Sequence, residues 1–173
     1  MSTLFVNNID TATGTTITVP TGKQIIGTDT NSIKAPGMII QVFDKQFSTA
    51  TATTSGSFVD VNSASITFAP KYSNSKLIFH GHFAARYDHN TSAGGAYNFN
   101  WNGSNVNSQS NYQMYDDGSG NRYRMVGLYG SITAGTTSSA TIKLQQAAYN
   151  GGTLWTNWGG AHSSGFMVME VAQ

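Results

Sequence analysis

Two imidazoles one residue apart, in His80-Gly81-His82, are the residues of this sequence best placed for chemistry. In a strand, positions i and i+2 share a face, so both rings would stand together with Ile78 and Ala84. Three such strands meeting on an axis would offer six imidazoles, enough to surround an ion octahedrally. One chain supplies only an incomplete ligand set, and the ordinary alternative is a pair of neutral histidines at a subunit contact. His80 and His82 are therefore the metal candidates, and neither a resident metal nor a cofactor is expected.

Aromatic rings among amides form the second group. Tyr97, Phe99, Trp101, Tyr112 and Tyr115 lie in one such stretch, and Tyr149, Trp155, Trp158 and His162 in another. Sugar rings offer an apolar C–H face and a hydroxyl rim, which flat rings beside amides suit. The period-two spacing of Tyr97, Phe99 and Trp101 marks a core strand face instead. Trp155, Trp158 and His162, in a Gly-flanked stretch, are the glycan-binding candidates.

Hydrolytic chemistry lacks its parts. Glu170 is the sole glutamate among eight carboxylates. Asp116 and Asp117 are adjacent in "DDGSGN", so they cannot flank a glycosidic bond, and calcium-loop spacing is absent. A turn is expected there. "AHSSG" has no nucleophile-elbow pattern, and no phosphate-binding glycine loop occurs. No catalytic residue is assigned. Glu170 closes an apolar strand and needs a partner, for which Arg86, Arg122 and Arg124 are the candidates.

The elements that position these residues are strands. Ser65–Phe68, Lys76–Tyr87 and Ala140–Leu144 alternate with period two, and Leu77, Phe79, Gly81, Phe83, Ala85 and Tyr87 form one apolar face. Met38–Phe43, Met125–Tyr129 and Phe166–Val171 are apolar on both faces and predict central strands covered on both sides. Turn clusters at 53–56, 72–75, 91–95, 116–121, 135–139 and 150–152 separate the strands, and no amphipathic helix is evident. Many short strands joined by Gly-rich turns predict a β-sandwich or jelly roll over residues 36–173.

Composition narrows the function classes. Charged residues are only 10% of the chain and the formal net charge is +1, which leaves no basic footprint for nucleic acid. Aromatic residues at 12%, with abundant Val, Ile and Thr, argue for a folded β-rich chain rather than disorder. Cysteine is absent, which removes disulfides and thiolate chemistry. The first ten residues do not resemble a signal peptide, and no apolar run reaches membrane-spanning length, so no membrane insertion is expected.

Residues 1–35 differ from the rest. Their large apolar side chains are Leu4, Phe5, Val6, Ile9, Ile17, Val19, Ile25, Ile26 and Ile33, too few to offset the backbone entropy of ordering the segment alone. This stretch is expected to be an extended attachment or trimerisation segment, packing on its own copies or on another protein. Pro36-Gly37 marks the junction to the head.

The opening "STLFVNNIDTATGTTITVPTGKQIIGTD", followed by "SIKAPGMIIQV", resembles N-terminal segments of tail-fibre and fibre-like virion proteins of marine phages, especially those infecting cyanobacteria. "SFVDVNSASITFAPKYSNSKLIF", "SSATIKLQ" and "SGFMVMEVAQ" resemble strands of the same family's head domain. The resemblance implies a non-enzymatic virion protein, a homotrimer with a tumour-necrosis-factor-like jelly-roll head, assembled in the host cytoplasm. Other virion proteins would be partners through residues 1–35. Tail fibre, collar appendage and capsid fibre all fit, and a receptor-binding head recognising host surface glycans is the alternative. Some phage fibre shafts carry His-X-His metal sites, so the resemblance also bears on His80 and His82.

Overall fold

The computed structural model describes residues 19–26, 33, 35–89, 93–106, 114–118, 120–160 and 162–173. The chain divides into two compact units, Met1–Ile33 and Lys34–Gln173. In the first unit, Leu4, Phe5, Val6, Ile9 and Ile17 lie outside the described residues. Ile25 and Ile26 are 67% and 69% exposed, and Val19 and Ile33 are also exposed.

The second unit is all β. Its strands are β1 (Ile39–Phe47), β2 (Thr51–Thr53), β3 (Val59–Phe68), β4 (Lys76–His89), β5 (Ala93–Trp101), β6 (Ser104–Asn105), β7 (Met114–Asp116), β8 (Gly120–Thr133), β9 (Ala140–Tyr149), β10 (Thr153–Thr156) and β11 (Ser164–Val171). The only helical element described is one 3-10 turn, Trp158–Gly160. Two antiparallel sheets form a sandwich, as the alternation predicts. Sheet A holds β1, β11, β4 and β8 in order, with β10 and β2 beside the distal part of β4. Sheet B holds β3, β9 and β5, with β6 and β7 on the far edge of β5.

β4 organises sheet A because its fourteen residues are long enough to serve two partners on one edge. β11 pairs with Lys76–His82 and β10 with Ala85–Asp88, while β8 runs along the whole opposite edge. At the change of partner, Ala84 N donates to Ser164 Oγ (3.0 Å) and Ala84 O accepts from Asn157 N (2.9 Å). One hydroxyl and one backbone amide thus keep Ala84 satisfied where the ladder breaks. In sheet B, Asn102-Gly103 turns β5 back into β6 with φ of 48° and 87°, the left-handed pair that a two-residue hairpin requires.

The core is an aromatic seam between the sheets. Phe83 meets Tyr97 at 5.2 Å and Phe79 meets Phe99 at 5.6 Å between ring centroids. Phe68 bridges Trp101 and Phe43 at 5.0 and 4.7 Å. Tyr97, Phe99 and Trp101 are therefore core, as their spacing predicts. The inward face of β4 is the expected one, Leu77 through Tyr87. Within the core, Tyr97 Oη bonds Thr156 Oγ1, Thr156 donates to Gln146, and Gln146 Nε2 donates to Thr51 O, so these buried polar groups are satisfied. Burial pushes the Tyr97 phenol well above its ordinary range.

Two expectations are corrected. First, the strands apolar on both faces are not covered on both sides. All three lie in sheet A, β1 and β8 as its outermost strands. Their outward residues stay exposed: Val42 52%, Met125 64%, Tyr129 60% and Met167 39%. Second, no arginine meets Glu170. Its buried carboxylate accepts from Lys71 N, Tyr72 N, Ser75 Oγ and Gln41 Nε2. The 71–75 turn aims backbone N–H groups at the acid, and these supply what a guanidinium would have supplied.

Candidate functional site

The strand register sets out the outer face of sheet A in rows. Val42, Met169, Ile78 and Ser131 form one row across β1, β11, β4 and β8. Asp44, Met167, His80 and Tyr129 form the next, then Gln46, Gly165, His82 and Gly127. Further along, Ala84 faces Met125 and Arg86 faces Tyr123. His80 and His82 share this face with Ile78 and Ala84, as their spacing requires, and both are exposed.

A groove of about 440 Å³ runs beside the two histidines, bordered by Val42, Asp44, Gln46 and Met167. Among the described residues, no three His, Cys, Asp or Glu side chains converge as a metal would need. One chain therefore offers His80 and His82 as two neighbouring donors and no completed set.

Beyond Ala84 the face changes character. Trp158, from the 3-10 turn, lies under the Arg86 guanidinium at 4.3 Å and meets Tyr123 edge-on at 5.7 Å. Arg86 is held by Asp88, whose other oxygen accepts from Trp155 Nε1 at 3.1 Å. This arrangement fixes the rings without further ordering cost on binding. Together with Met125 and His162 they line a cleft of about 210 Å³. Of the three glycan candidates, Trp158 and His162 meet in this cleft. Trp155 is half-buried with its indole N–H committed to Asp88, in a supporting place. Residue spacing carries no sign of Arg86 and Tyr123, because they come from different strands and meet only through the β4–β8 register.

The outer face of sheet B is different in kind. Asn98 and Asn100 donate to Asn105 Oδ1 (2.8 and 3.0 Å), and Gln145 and Lys143 donate to Asp60 (2.8 and 2.7 Å). The Lys143 hydrogen bond above all, helped by Gln145 and the Lys143 charge, holds the Asp60 carboxyl below its usual range against the desolvation that burial brings. Thr67 and Thr141 continue the polar ladder through their hydroxyls. One sheet shows water a polar surface. The other interleaves exposed Met, Val and Tyr with Asp44, Gln46 and the two histidines.

No family model and no curated protein matches the sequence. Among solved structures, the chain is similar to the VP2 subviral particle of infectious bursal disease virus, with 14% identity, 87% of this chain and 42% of that chain covered, and a TM-score of 0.36. It is also similar to the structure of the Gx strain of infectious bursal disease virus, with 12% identity, coverage of 87% and 43%, and a TM-score of 0.38. The chain spans less than half the length of these structures.

Proposed function

We propose that this chain is a non-enzymatic structural protein of a phage virion, a trimeric fibre or appendage on the tail or capsid. The observation that carries the self-assembling part is the contrast between the two outer faces. A solvent-facing antiparallel sheet alternates apolar and polar residues, as sheet B does. Sheet A places Val42, Met125, Tyr129 and Met167 on a face where, among the described residues, the strand register puts the charges of Asp44, Lys76, Arg86 and Asp88. Such a face belongs against protein. The exposed Ile25 and Ile26 point the same way for residues 1–35, read as the segment that joins copies or other virion proteins. The phage context rests on the sequence resemblance.

Light scattering on the purified chain tests the assembly and is expected to give three times the chain mass. A monomer at micromolar concentration would overturn it. Gold-labelled antibody on particles of the encoding phage is expected to mark one class of appendage. Unlabelled intact particles would overturn the virion role.

The Trp158–Arg86–Tyr123 cleft favours a second reading, a head that recognises host surface glycans. Sugar would lie against the rings with its hydroxyl rim toward Arg86 and His162. Glycan-array binding by the assembled protein tests this, and binding to no glycan would remove it.

A further inference from the structure

Gly127 stands in the middle of a fourteen-residue strand, where glycine weakens pairing and offers nothing to pack. Nothing in the single chain requires it. Its φ lies outside the left-handed region, and a Cβ built there meets no atom within 4 Å. Gly81, on the inward face of β4, is the contrast: a Cβ there comes within 2.7 Å of Phe166 Cβ and the Phe83 ring. The fold accounts for Gly81 and leaves Gly127 unexplained. Glycine in a strand also marks the close approach of another backbone or ligand.

Gly127 belongs to the row Gln46–Gly165–His82–Gly127, in which glycine flanks the imidazole on both neighbouring strands. That row is a trench interrupted by the exposed side chains of Gln46 and His82 and open at Gly165 and Gly127. Beside it runs the ridge Met167–His80–Tyr129, with two side chains strongly exposed. We propose that the trench is the seat of a second copy of this chain, and that Gly127 keeps open the space into which the neighbour's ridge packs. The inference rests on the self-assembling reading above and gives it a place.

Three features favour a second copy over a different partner. The face presents a ridge and a trench side by side, so the ridge of one copy can enter the trench of the next around a closed ring. It carries both an acceptor, Asp44, and two imidazoles with ring N–H groups, so copies can offer each other hydrogen-bond partners. From strand spacing and rise, four strands by the ten steps from Lys76 to Arg86 cover roughly 19 by 33 Å, or about 600 Å² in plan. Side-chain relief raises the accessible area toward the roughly 800 Å² per partner of a stable interface.

The sequence has no cysteine, so one introduced thiol is a clean probe. In the full chain, Gly127→Cys is compared with Thr67→Cys, on the exposed outer face of sheet B. A bulky polyethylene-glycol maleimide is expected to modify Thr67→Cys quickly and Gly127→Cys at least roughly tenfold more slowly, with equal rates in urea. Gly127→Phe is expected to keep or raise the unfolding temperature and to weaken assembly by roughly tenfold or more. If the parent chain is oligomeric but Gly127→Cys reacts as fast as Thr67→Cys, or Gly127→Phe assembles like the parent, the trench is not the seat and only the general reading survives. If light scattering finds the parent chain monomeric, both fall together.

Discussion

Glu170 is the sole glutamate of the chain, and its four hydrogen-bonding neighbours are all donors: Gln41 Nε2, Lys71 N, Tyr72 N and Ser75 Oγ. Glu170→Gln would turn an amide N–H₂ toward one of them and leave it unpaired. We expect a loss of about 1–3 kcal/mol in urea unfolding with an unchanged m-value; an unchanged midpoint would show that the turn does not depend on the acid. That the acid needed partners was legible from its place in an apolar strand. Their identity was not, since backbone donors leave no trace in residue types. The two tryptophans make a second test at this scale. Trp158→Ala should abolish glycan binding with little effect on melting, because the ring is 37% exposed. Trp155→Ala should lower the melting temperature, because it strips Asp88 of a donor on the β4–β10 boundary. Equal melting shifts would contradict this division.

Between β3 and β9, Asp60 receives Lys143 and Gln145 across the sheet. Its carboxyl is held below the ordinary 3.8, so the folded state binds this proton less readily than the unfolded chain. The contribution to stability is therefore complete above about pH 4 and disappears as pH falls through the lowered folded value. Both partners are substantially exposed, so the effect is at most about 1 kcal/mol. The stability of Asp60→Asn should vary less with pH than that of the parent between about pH 5 and 2; an identical acid slope would show that the pair contributes nothing. At the same scale, Gly81→Ala should cost about 1–3 kcal/mol by overpacking against Phe166 and Phe83. Period-two patterning identified β4, β9 and the core face of β5 because each has one wet side. It misplaced β1, β8 and β11 because an apolar face left exposed reads the same in the sequence as one turned toward a second layer.

For the whole molecule, removing residues 1–35 is expected to leave a head with the parent's near-ultraviolet dichroism and to prevent incorporation into particles. Normal incorporation of the shortened chain would move attachment into the head. The sandwich class was legible because turns and alternation are local. The cleft at Trp158 was not, because 3-10 turn, β4 and β8 converge only once the sheet is built. The pairing of β1 with β11 has a consequence in time. Ile39 lies opposite Val171 and Phe47 opposite Ser164, so a strand made early must wait for one made at the end of the head. Until β11 leaves the ribosome, β1 has no neighbour in its sheet, and β4 lacks its neighbour along Lys76–His82. Long-range closure of this kind is slow and leaves apolar strands open meanwhile. The head therefore cannot close before β11 has emerged, and a nascent chain stalled ahead of β11 is a sticky intermediate.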